Sequence, residues 1–124
     1  MHFADRLAEI IRKKQTPLCV GLDPRWESLP KELRDRHGNQ GTEGIAKAFE
    51  EFSLEVLDIV APIVGVVKPQ SAFFEQLGPH GMVALRKILL RAKELGLITI
   101  MDNKRGDIST TATAYAEAIF GPAS

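Results

Sequence analysis

Three short apolar runs, each followed at once by a charged residue, constrain the fold of this chain more than any other feature. Amphipathic helical patterns separate the runs, so strands and helices are predicted to alternate, as in parallel α/β folds. The carboxyl ends of parallel strands lie at one edge of a sheet, where ligands bind, so we expect the three charges to meet there. The runs are residues 18–22, 63–67 and 97–101, and the charged residues are Asp23, Lys68 and Asp102.

The helical patterns have recognisable ends. Residues 3–14 predict an amphipathic opening helix, residues 24–41 a polar loop with a helical turn at 30–37, and the segment after Lys68 a loop containing Phe73 and Phe74. The start and stop signals are Pro17 after the first helix, Thr42 as cap and Pro62 as end of the second, Gly96 after the third, and Thr110 or Thr111 at the start of the fourth, which ends at Gly121-Pro122.

Composition excludes several classes of function. Sixteen basic residues balance sixteen acidic ones, so no net charge would attract nucleic acid or anionic lipid. No apolar run approaches the ~20 residues of a membrane span, and the first residues do not resemble a signal peptide. The single cysteine, Cys19, excludes a disulfide framework and is expected to be a small buried hydrophobic residue. The three histidines lack ligand spacing, so we expect no metal site and a soluble, cytoplasmic protein.

The run Asp102-Asn103-Lys104-Arg105-Gly106-Asp107-Ile108 carries the chemistry. Asp102 and Lys104 are two residues apart, so in extended backbone they point the same way, and the turn at Gly106 can return Asp107 to the same region. Opposite charges favour the charged form of a lysine between them, which makes it a positioned proton donor. Protonation of a carbanion left by loss of carbon dioxide fits such a group. From the pattern alone, an ion-paired helix entry is about equally plausible.

Three motifs in order resemble one enzyme family, orotidine 5′-phosphate decarboxylase, in its longer-chain bacterial branch. The resemblance covers nearly the whole chain. The motifs are Leu18-Cys19-Val20-Gly21-Leu22-Asp23-Pro24, Val66-Val67-Lys68-Pro69-Gln70 and the run from Asp102 to Ile108.

The resemblance implies a fold and an activity. The fold is a single-domain (β/α)₈ barrel, of which residues 1–124 would hold an opening helix and about the first three strand–helix units. The activity is conversion of orotidine 5′-monophosphate to uridine 5′-monophosphate in pyrimidine biosynthesis, without a cofactor and in a homodimer.

The same resemblance assigns roles to seven residues. By position, Asp23 and Lys68 would hold the ribose hydroxyls, Asp102 would face the substrate carboxylate, and Lys104 would protonate C6. The last three, Asp107, Ile108 and Thr111, would reach into the partner subunit's site, although Thr111 is equally expected to be only a helix cap and Ile108 only a packing residue.

The length of the chain limits the activity that the resemblance leads us to expect. A barrel of this kind takes ~250 residues, and the phosphate-binding loops and lid of the family belong to later strands, so we expect this chain of 124 residues to be an incomplete enzyme. Two alternatives stay open. One is a magnesium-dependent sugar-phosphate decarboxylase of the same suprafamily; the other is a non-catalytic fragment or assembly module in which Asp107 serves an interface.

Overall fold

The computed structural model describes residues 1–122 and contains three parallel strands, six α-helices and one short 3₁₀ turn. In chain order the elements are α1 (Phe3–Lys14), β1 (Cys19–Leu22), the 3₁₀ turn (Trp26–Ser28), α2 (Lys31–His37), α3 (Gly41–Val60), β2 (Val66–Pro69), α4 (Ser71–Glu75), α5 (Pro79–Glu94), β3 (Ile98–Thr99) and α6 (Ser109–Phe120).

The strands form one parallel sheet in the order β1-β2-β3. Cys19 pairs with Val66 at the start of β1, and Val66 pairs in turn with Ile98 of β3. A further bridge joins Gln70 to Asp102, so the parallel pairing continues past the end of β3. Sequential neighbouring strands joined through helices are the repeating unit that the spacing of the apolar runs predicts.

The core lies between one face of the sheet and the helices α3 and α5. Leu22 and Val67 project from that face into a cluster with Phe49 of α3 and Ile88 of α5, and all four are almost fully buried. Phe49 also meets Phe74 edge to face, with ring centroids 6.2 Å apart, a geometry that aromatic quadrupoles favour. Burial of these side chains fixes the strand ends relative to the helices.

α1 packs at the amino ends of the strands, opposite the edge where the charged residues lie. The Lys14 ammonium donates a 2.7 Å hydrogen bond to the carbonyl of Ala61. Ile10 lies so close to Gly65 that a Cβ on that glycine would collide with its side chain. The opening helix therefore closes one end of the sheet and leaves the other end free.

α5 approaches the short helix α4 through a glycine. A Cβ on Gly81 would collide with the backbone carbonyl of Phe74, which cannot move away as a flexible side chain can. Gly81 is buried, as is Phe74. This contact seats α4 firmly under the carboxyl ends of the strands.

The second strand begins three residues later than predicted. The amides of Ile63 and Val64 both donate to the carbonyl of Val60, so the chain turns once more after α3 before it extends. Ile63 is consequently exposed, and Lys68 lies inside β2, paired with Gly21, rather than directly after the strand.

The prediction of a loop at Phe73 and Phe74 is wrong, because both lie in α4. The side-chain oxygen of Gln70 accepts the amide of Ala72 and so caps this helix. Phe74 points into the core, and that burial stabilises a helix of only five residues.

Neither threonine cap forms. α3 begins at Gly41, whose positive φ of 60° turns the chain into the helix, and Gln40 is its cap. α6 begins at Ser109 after Ile108, so Thr111 lies in the first turn rather than at the cap. Gly96, by contrast, follows α5 with a φ of 75°, as predicted.

Cys19 is exposed, so its prediction as a buried residue is wrong. It alternates with Val20 along β1 and lies on the sheet face that α3 and α5 do not cover. On the same face, nearer α1, Val66 and Ile98 are buried, although neither belongs to the core cluster between the sheet and α3 and α5. Within residues 1–122 no helix combines the length and the apolar character needed to cross a membrane.

Candidate functional site

The face of the sheet that α3 and α5 do not cover carries the charged residues at the carboxyl ends of the strands. In a parallel pair, partners in register project to the same side. Gly21 is paired with Lys68, and Gln70 is bridged to Asp102, so both charged residues share one face. The amide of Asp102 donates to the carbonyl of Pro69 at 3.0 Å, which holds its backbone against β2. The sheet therefore brings charges that are 34 positions apart in the chain together.

The Lys68 ammonium donates a 2.7 Å hydrogen bond to Oδ2 of Asp102. Their side chains are 36% and 41% exposed, respectively, so the pair lies at the edge of the sheet rather than in the core. Asp102 lines the cavity described below, whereas Lys68 is not among its lining residues. Two of the three charges that were expected to meet at this edge, Lys68 and Asp102, are in direct contact. The direct partner of Asp102 is Lys68, however, and not the sequence neighbour Lys104.

The contact shifts both groups toward their charged forms. The hydrogen bond from Lys68 lowers the pKa of the Asp102 carboxyl below its ordinary value, and the positive charges of Lys68 and Lys104 lower it further. The hydrogen bond to Asp102 raises the pKa of Lys68, and the charges of Asp102 and Asp23 add to the effect. At neutral pH the cavity wall therefore holds a carboxylate beside an ammonium.

A cavity of about 450 Å³ lies at this edge of the sheet. Its walls come from the segment after β1, from the start of α4 and from the segment after β3. The lining residues are Asp23, Gln70, Ala72, Phe73, Glu75, Asp102, Asn103, Lys104 and Arg105. The volume falls in the range of small-molecule sites, and three of the predicted site residues line it.

Lys104 is exposed on the cavity wall. Among the residues described it makes no salt bridge, whereas Arg105 beside it is paired with Glu75. Lys104 is close enough to Asp102 for its charge to lower the pKa of that carboxyl. It thus presents an ammonium to the cavity next to a carboxylate that is already engaged by Lys68.

Asp107, Ile108 and Thr111 lie away from this cavity. The Asp107 carboxylate accepts the amide of Ile108 at 2.8 Å, and neither residue is among those that line the cavity. Ile108 is 79% exposed and Thr111 is exposed in the first turn of α6. The structure therefore gathers Asp23, Lys68, Asp102 and Lys104 at one edge and leaves the other three on an outer surface.

Sequence reasoning did not identify the α4 side of the cavity. Gln70, Phe73 and Glu75 belong to a segment predicted as a loop, so no helical spacing pointed to them. The Glu75 carboxylate receives Arg105 on one oxygen and the Ser71 hydroxyl on the other, at 2.7 Å for Ser71. A carboxylate directly after a pair of phenylalanines gives no signal that it will face a strand end.

Asn103 is a further cavity residue that sequence reasoning left without a role. Its side-chain nitrogen is buried and has no hydrogen-bond partner within residues 1–122. An unsatisfied buried donor costs about 1–3 kcal/mol.

Searched over the same residues, the structure contains no cluster of three or more histidine, cysteine or acidic side chains arranged to hold a metal ion.

The arrangement suits binding of a small molecule that carries hydroxyl groups, and proton delivery to it. Asp23 and Asp102 provide acceptors for hydroxyl groups, and Lys104 provides a charged donor with no competing partner in the described chain. A carboxylate that stays ionised beside two ammonium groups creates a steep local field across the cavity.

Comparison with known proteins gives one consistent result. Residues 16–123 match the model of the orotidine 5′-phosphate decarboxylase / HUMPS family. An orotidine 5′-phosphate decarboxylase from Rhodopirellula baltica is 50% identical over 123 residues, covering 99% of this chain and 41% of that protein. One from Myxococcus xanthus is 39% identical, covering 98% of this chain and 39% of that protein.

A solved structure agrees with the sequence comparison. The chain superposes on an OMP decarboxylase from Leishmania donovani with a TM-score of 0.73 and 34% identity, over 97% of this chain and 40% of that one. This confirms the predicted partial barrel of an opening helix and three strand–helix units. The chain spans about two fifths of the length of the curated relatives it matches.

The three strand-end motifs lie at one edge of one sheet, and the family match covers most of the residues that build that edge. On these grounds the chain belongs to the orotidine 5′-phosphate decarboxylase / HUMPS family.

Proposed function

We propose that the cavity at the carboxyl ends of the strands binds orotidine 5′-monophosphate and carries out its decarboxylation to uridine 5′-monophosphate when a longer barrel completes it. The observation that carries the proposal is the Lys68–Asp102 contact beside Lys104. The ionised Asp102 carboxylate, which Lys68 holds, lines the same cavity as the Lys104 ammonium, which has no salt-bridge partner in the described chain. The relatives matched above bear the name of this activity.

Each residue has a role in the proposed reaction. Asp23 and Lys68 bind the ribose hydroxyls, Asp102 faces the substrate carboxylate, and Lys104 faces C6. The bond from C6 to the carboxylate breaks, carbon dioxide leaves, and its bonding electron pair stays on C6. A proton then passes from the Lys104 nitrogen to C6, and one proton from solvent restores the ammonium. No cofactor takes part in this proposal.

Phosphate binding is the function that the described cavity supports least. Arg105 is the one arginine among its lining residues, and Glu75 neutralises it. Binding of a remote phosphate contributes to transition-state stabilisation in enzymes that use such groups. We therefore expect the chain alone to bind the nucleotide weakly, with the phosphate contacts supplied by later barrel units.

The test uses the chain alone and an extended chain, in which the segment of the Rhodopirellula baltica relative that follows its matched residues continues this sequence. Release of carbon dioxide from orotidine 5′-monophosphate is measured for both. We expect turnover in the extended chain and a loss of about 100- to 10,000-fold in its Lys104→Ala variant, because a positioned proton donor contributes that much. Lys47→Ala, an exposed lysine of α3 paired with Glu43, is the control and should keep full activity.

A dimer forms part of the proposal, with Asp107, Ile108 and Thr111 completing the partner subunit's site. Their exposure on an outer surface supports this assignment. Extended-chain Lys104→Ala and Asp107→Asn proteins would each be nearly inactive. If the site is shared, unfolding and refolding equal amounts of them together restores about one quarter of wild-type activity, since half of the dimers are then mixed and half of the sites in those dimers are intact. No recovery would show that Asp107 acts within its own subunit.

The alternative within the family is decarboxylation of a sugar phosphate with magnesium. It differs by its substrate and by its need for a divalent cation. Activity of the extended chain toward orotidine 5′-monophosphate that survives an excess of EDTA favours the nucleotide reaction.

We also propose that the protein lies in the cytoplasm, because its single cysteine, Cys19, is a free thiol and the cytoplasm keeps thiols reduced.

A further inference from the structure

Two hydrogen bonds connect the short helix α4 to residues 102–108, here called the motif loop, and one further bond within each segment supports them. The Ser71 amide donates to the carbonyl of Asp102 at 3.0 Å, and the Ser71 hydroxyl donates to Glu75 at 2.7 Å. The other oxygen of Glu75 accepts from the Arg105 guanidinium, which also donates to the carbonyl of Lys104 at 2.9 Å. Lys104 is thus bracketed by backbone contacts on both sides.

Arg105 makes a further contact to the other side of the loop. Its guanidinium carbon lies 5.9 Å from the centre of the Tyr115 ring, on α6, within the range of a cation–π interaction. A planar guanidinium can bond to a carboxylate and a carbonyl while it stacks on a ring, which a lysine ammonium cannot do. Arg105 therefore joins α4, the motif loop and α6.

The anchor of this network is rigid. Ser71 and Phe74 are buried, and Gly81 of α5 packs against the carbonyl of Phe74 with no space for a Cβ. An ordinary surface ion pair has two mobile ends and contributes little, about 0–1 kcal/mol. Glu75 differs because its helix is seated in the core and its second oxygen is fixed by Ser71.

We propose that Glu75, with Ser71, positions Lys104 by holding Arg105, so that the proton donor stays aimed at the cavity. Glu75 and Arg105 act as positioning residues in this role, and neither is required to touch the reacting atoms. This inference rests on the proposed function, which makes Lys104 the proton donor. It assigns a catalytic consequence to a helix that has no residue in the three strand-end motifs.

One test measures motion in the loop and needs no activity. In the chain, ¹⁵N relaxation reports the order of the Lys104 and Asp107 amides in the wild type and in Glu75→Gln. Glu75→Gln keeps the shape of the side chain and removes its charge. We expect the loop amides to become measurably more mobile, while the amides of α5 remain as ordered as before.

A second test measures turnover in the extended chain. Misplacing a reacting group by about 1 Å can cost 100-fold, so we expect Glu75→Gln to lower kcat by about 10- to 100-fold with a smaller change in KM. Arg105→Lys keeps the positive charge but offers one nitrogen in place of the two separate guanidinium nitrogens that bond to Glu75 and to the Lys104 carbonyl, and it should lose a similar factor. The double variant should lose no more than the worse single variant, since both act through one contact.

A matched control separates positioning from loss of any surface ion pair. Asp58→Asn removes a carboxylate from Arg91, in a comparably exposed pair on the outer helices. It should leave kcat and the order of the motif loop unchanged. Both measurements on Glu75→Gln are read against this variant.

The outcomes distinguish the inference from the proposed function. A more mobile loop together with a lower kcat supports positioning by Glu75. Unchanged mobility of the motif loop in Glu75→Gln overturns the inference, whatever happens to kcat. If kcat falls while the mobility of the loop is unchanged, Glu75 acts on the substrate directly. If the wild-type extended chain has no turnover, the proposed function fails, and relaxation alone decides whether Glu75 holds the loop.

Discussion

Lys68 and Asp102 form a 2.7 Å hydrogen-bonded ion pair that joins the carboxyl end of β2 to the segment after β3. The pair places a carboxylate at the cavity wall and leaves the neighbouring Lys104 without a salt bridge in the described chain. It is the closest contact between side chains of different strand-end motifs, and the proposed chemistry depends on it. Its properties can be measured without substrate.

The first prediction concerns the charge state of this pair. Because Lys68 lowers the pKa of Asp102, replacing it in Lys68→Met should raise that pKa toward the ordinary value for aspartate. The ¹³C shift of the Asp102 carboxyl, followed against pH, measures the change. Lys87→Met, which breaks an ion pair with Glu50 on the outer helices, should leave the Asp102 titration in place. An Asp102 pKa that is the same in wild type and Lys68→Met would contradict the pairing.

The second prediction concerns acid stability. His37 and Arg36 of α2 both bind the carboxylate of Glu51 on α3, and the bond from His37 is the main reason that the pKa of Glu51 is lowered. A depressed carboxyl pKa contributes stability above the unfolded value of about 4.3, and that stability is lost as pH falls through the lower folded value. The urea midpoint of the wild type should therefore fall more steeply than that of Glu51→Gln as pH drops from 6 toward 3.

The control for that experiment lies on the same helix. Glu43 pairs with Lys47 one turn away, and both side chains are more than half exposed. Glu43→Gln should keep the wild-type dependence of the midpoint on pH, because exposed pairs of this kind contribute less than about 1 kcal/mol. If the urea midpoints of wild type and Glu51→Gln depend on pH in the same way, the contact of Glu51 with α2 does not contribute to stability.

The third prediction concerns the packing of α5 against α4. Gly81→Ala should destabilise the protein by about 1–3 kcal/mol, as overpacking a core does, because the new methyl group collides with the Phe74 carbonyl. Chemical denaturation measures the loss. Gly106→Ala is the control, since a Cβ there meets no atom within 4 Å and φ is not positive. Equal stability of the two variants would show that α4 can move away freely.

The fourth prediction concerns association. Within residues 1–122, β1 and β3 each have one neighbouring strand, so both edges of the sheet are open, and Leu18 and Ile100 beside them are exposed. Open edges pair readily with other chains. We expect sedimentation of this chain to show association that increases with concentration. A monodisperse monomer that melts cooperatively would contradict this expectation.

Much of the architecture follows from local patterns. Three features were predictable from apolar spacing and from Gly and Pro positions: the opening helix α1, the helix α5 with Gly96 after it, and the three parallel strands. The strand-end charges Asp23, Lys68 and Asp102 were also identified this way, because parallel strands end at a common edge. The register of the parallel strands is enough to bring these side chains together in the structure.

The α4 side of the site was not predictable, for physical reasons. A five-residue helix has no periodic signal, and this one is stabilised by burial of Phe74 and a cap from Gln70 rather than by its own propensity. The pairing of Glu75 with Arg105 spans 30 positions, and no local pattern marks residues that are so far apart as partners. Cys19 was assigned wrongly because an apolar run does not reveal which strand face the helices cover.

The most direct test of the central claim is release of carbon dioxide from orotidine 5′-monophosphate by the extended chain, compared with its Asp102→Asn variant in the presence of EDTA. The claim is that the ionised carboxylate of Asp102, held by Lys68 beside Lys104, takes part in the chemistry. We predict metal-independent turnover in the wild type and a loss of at least about 100-fold in the variant. Turnover by Asp102→Asn at close to the wild-type rate would contradict the account.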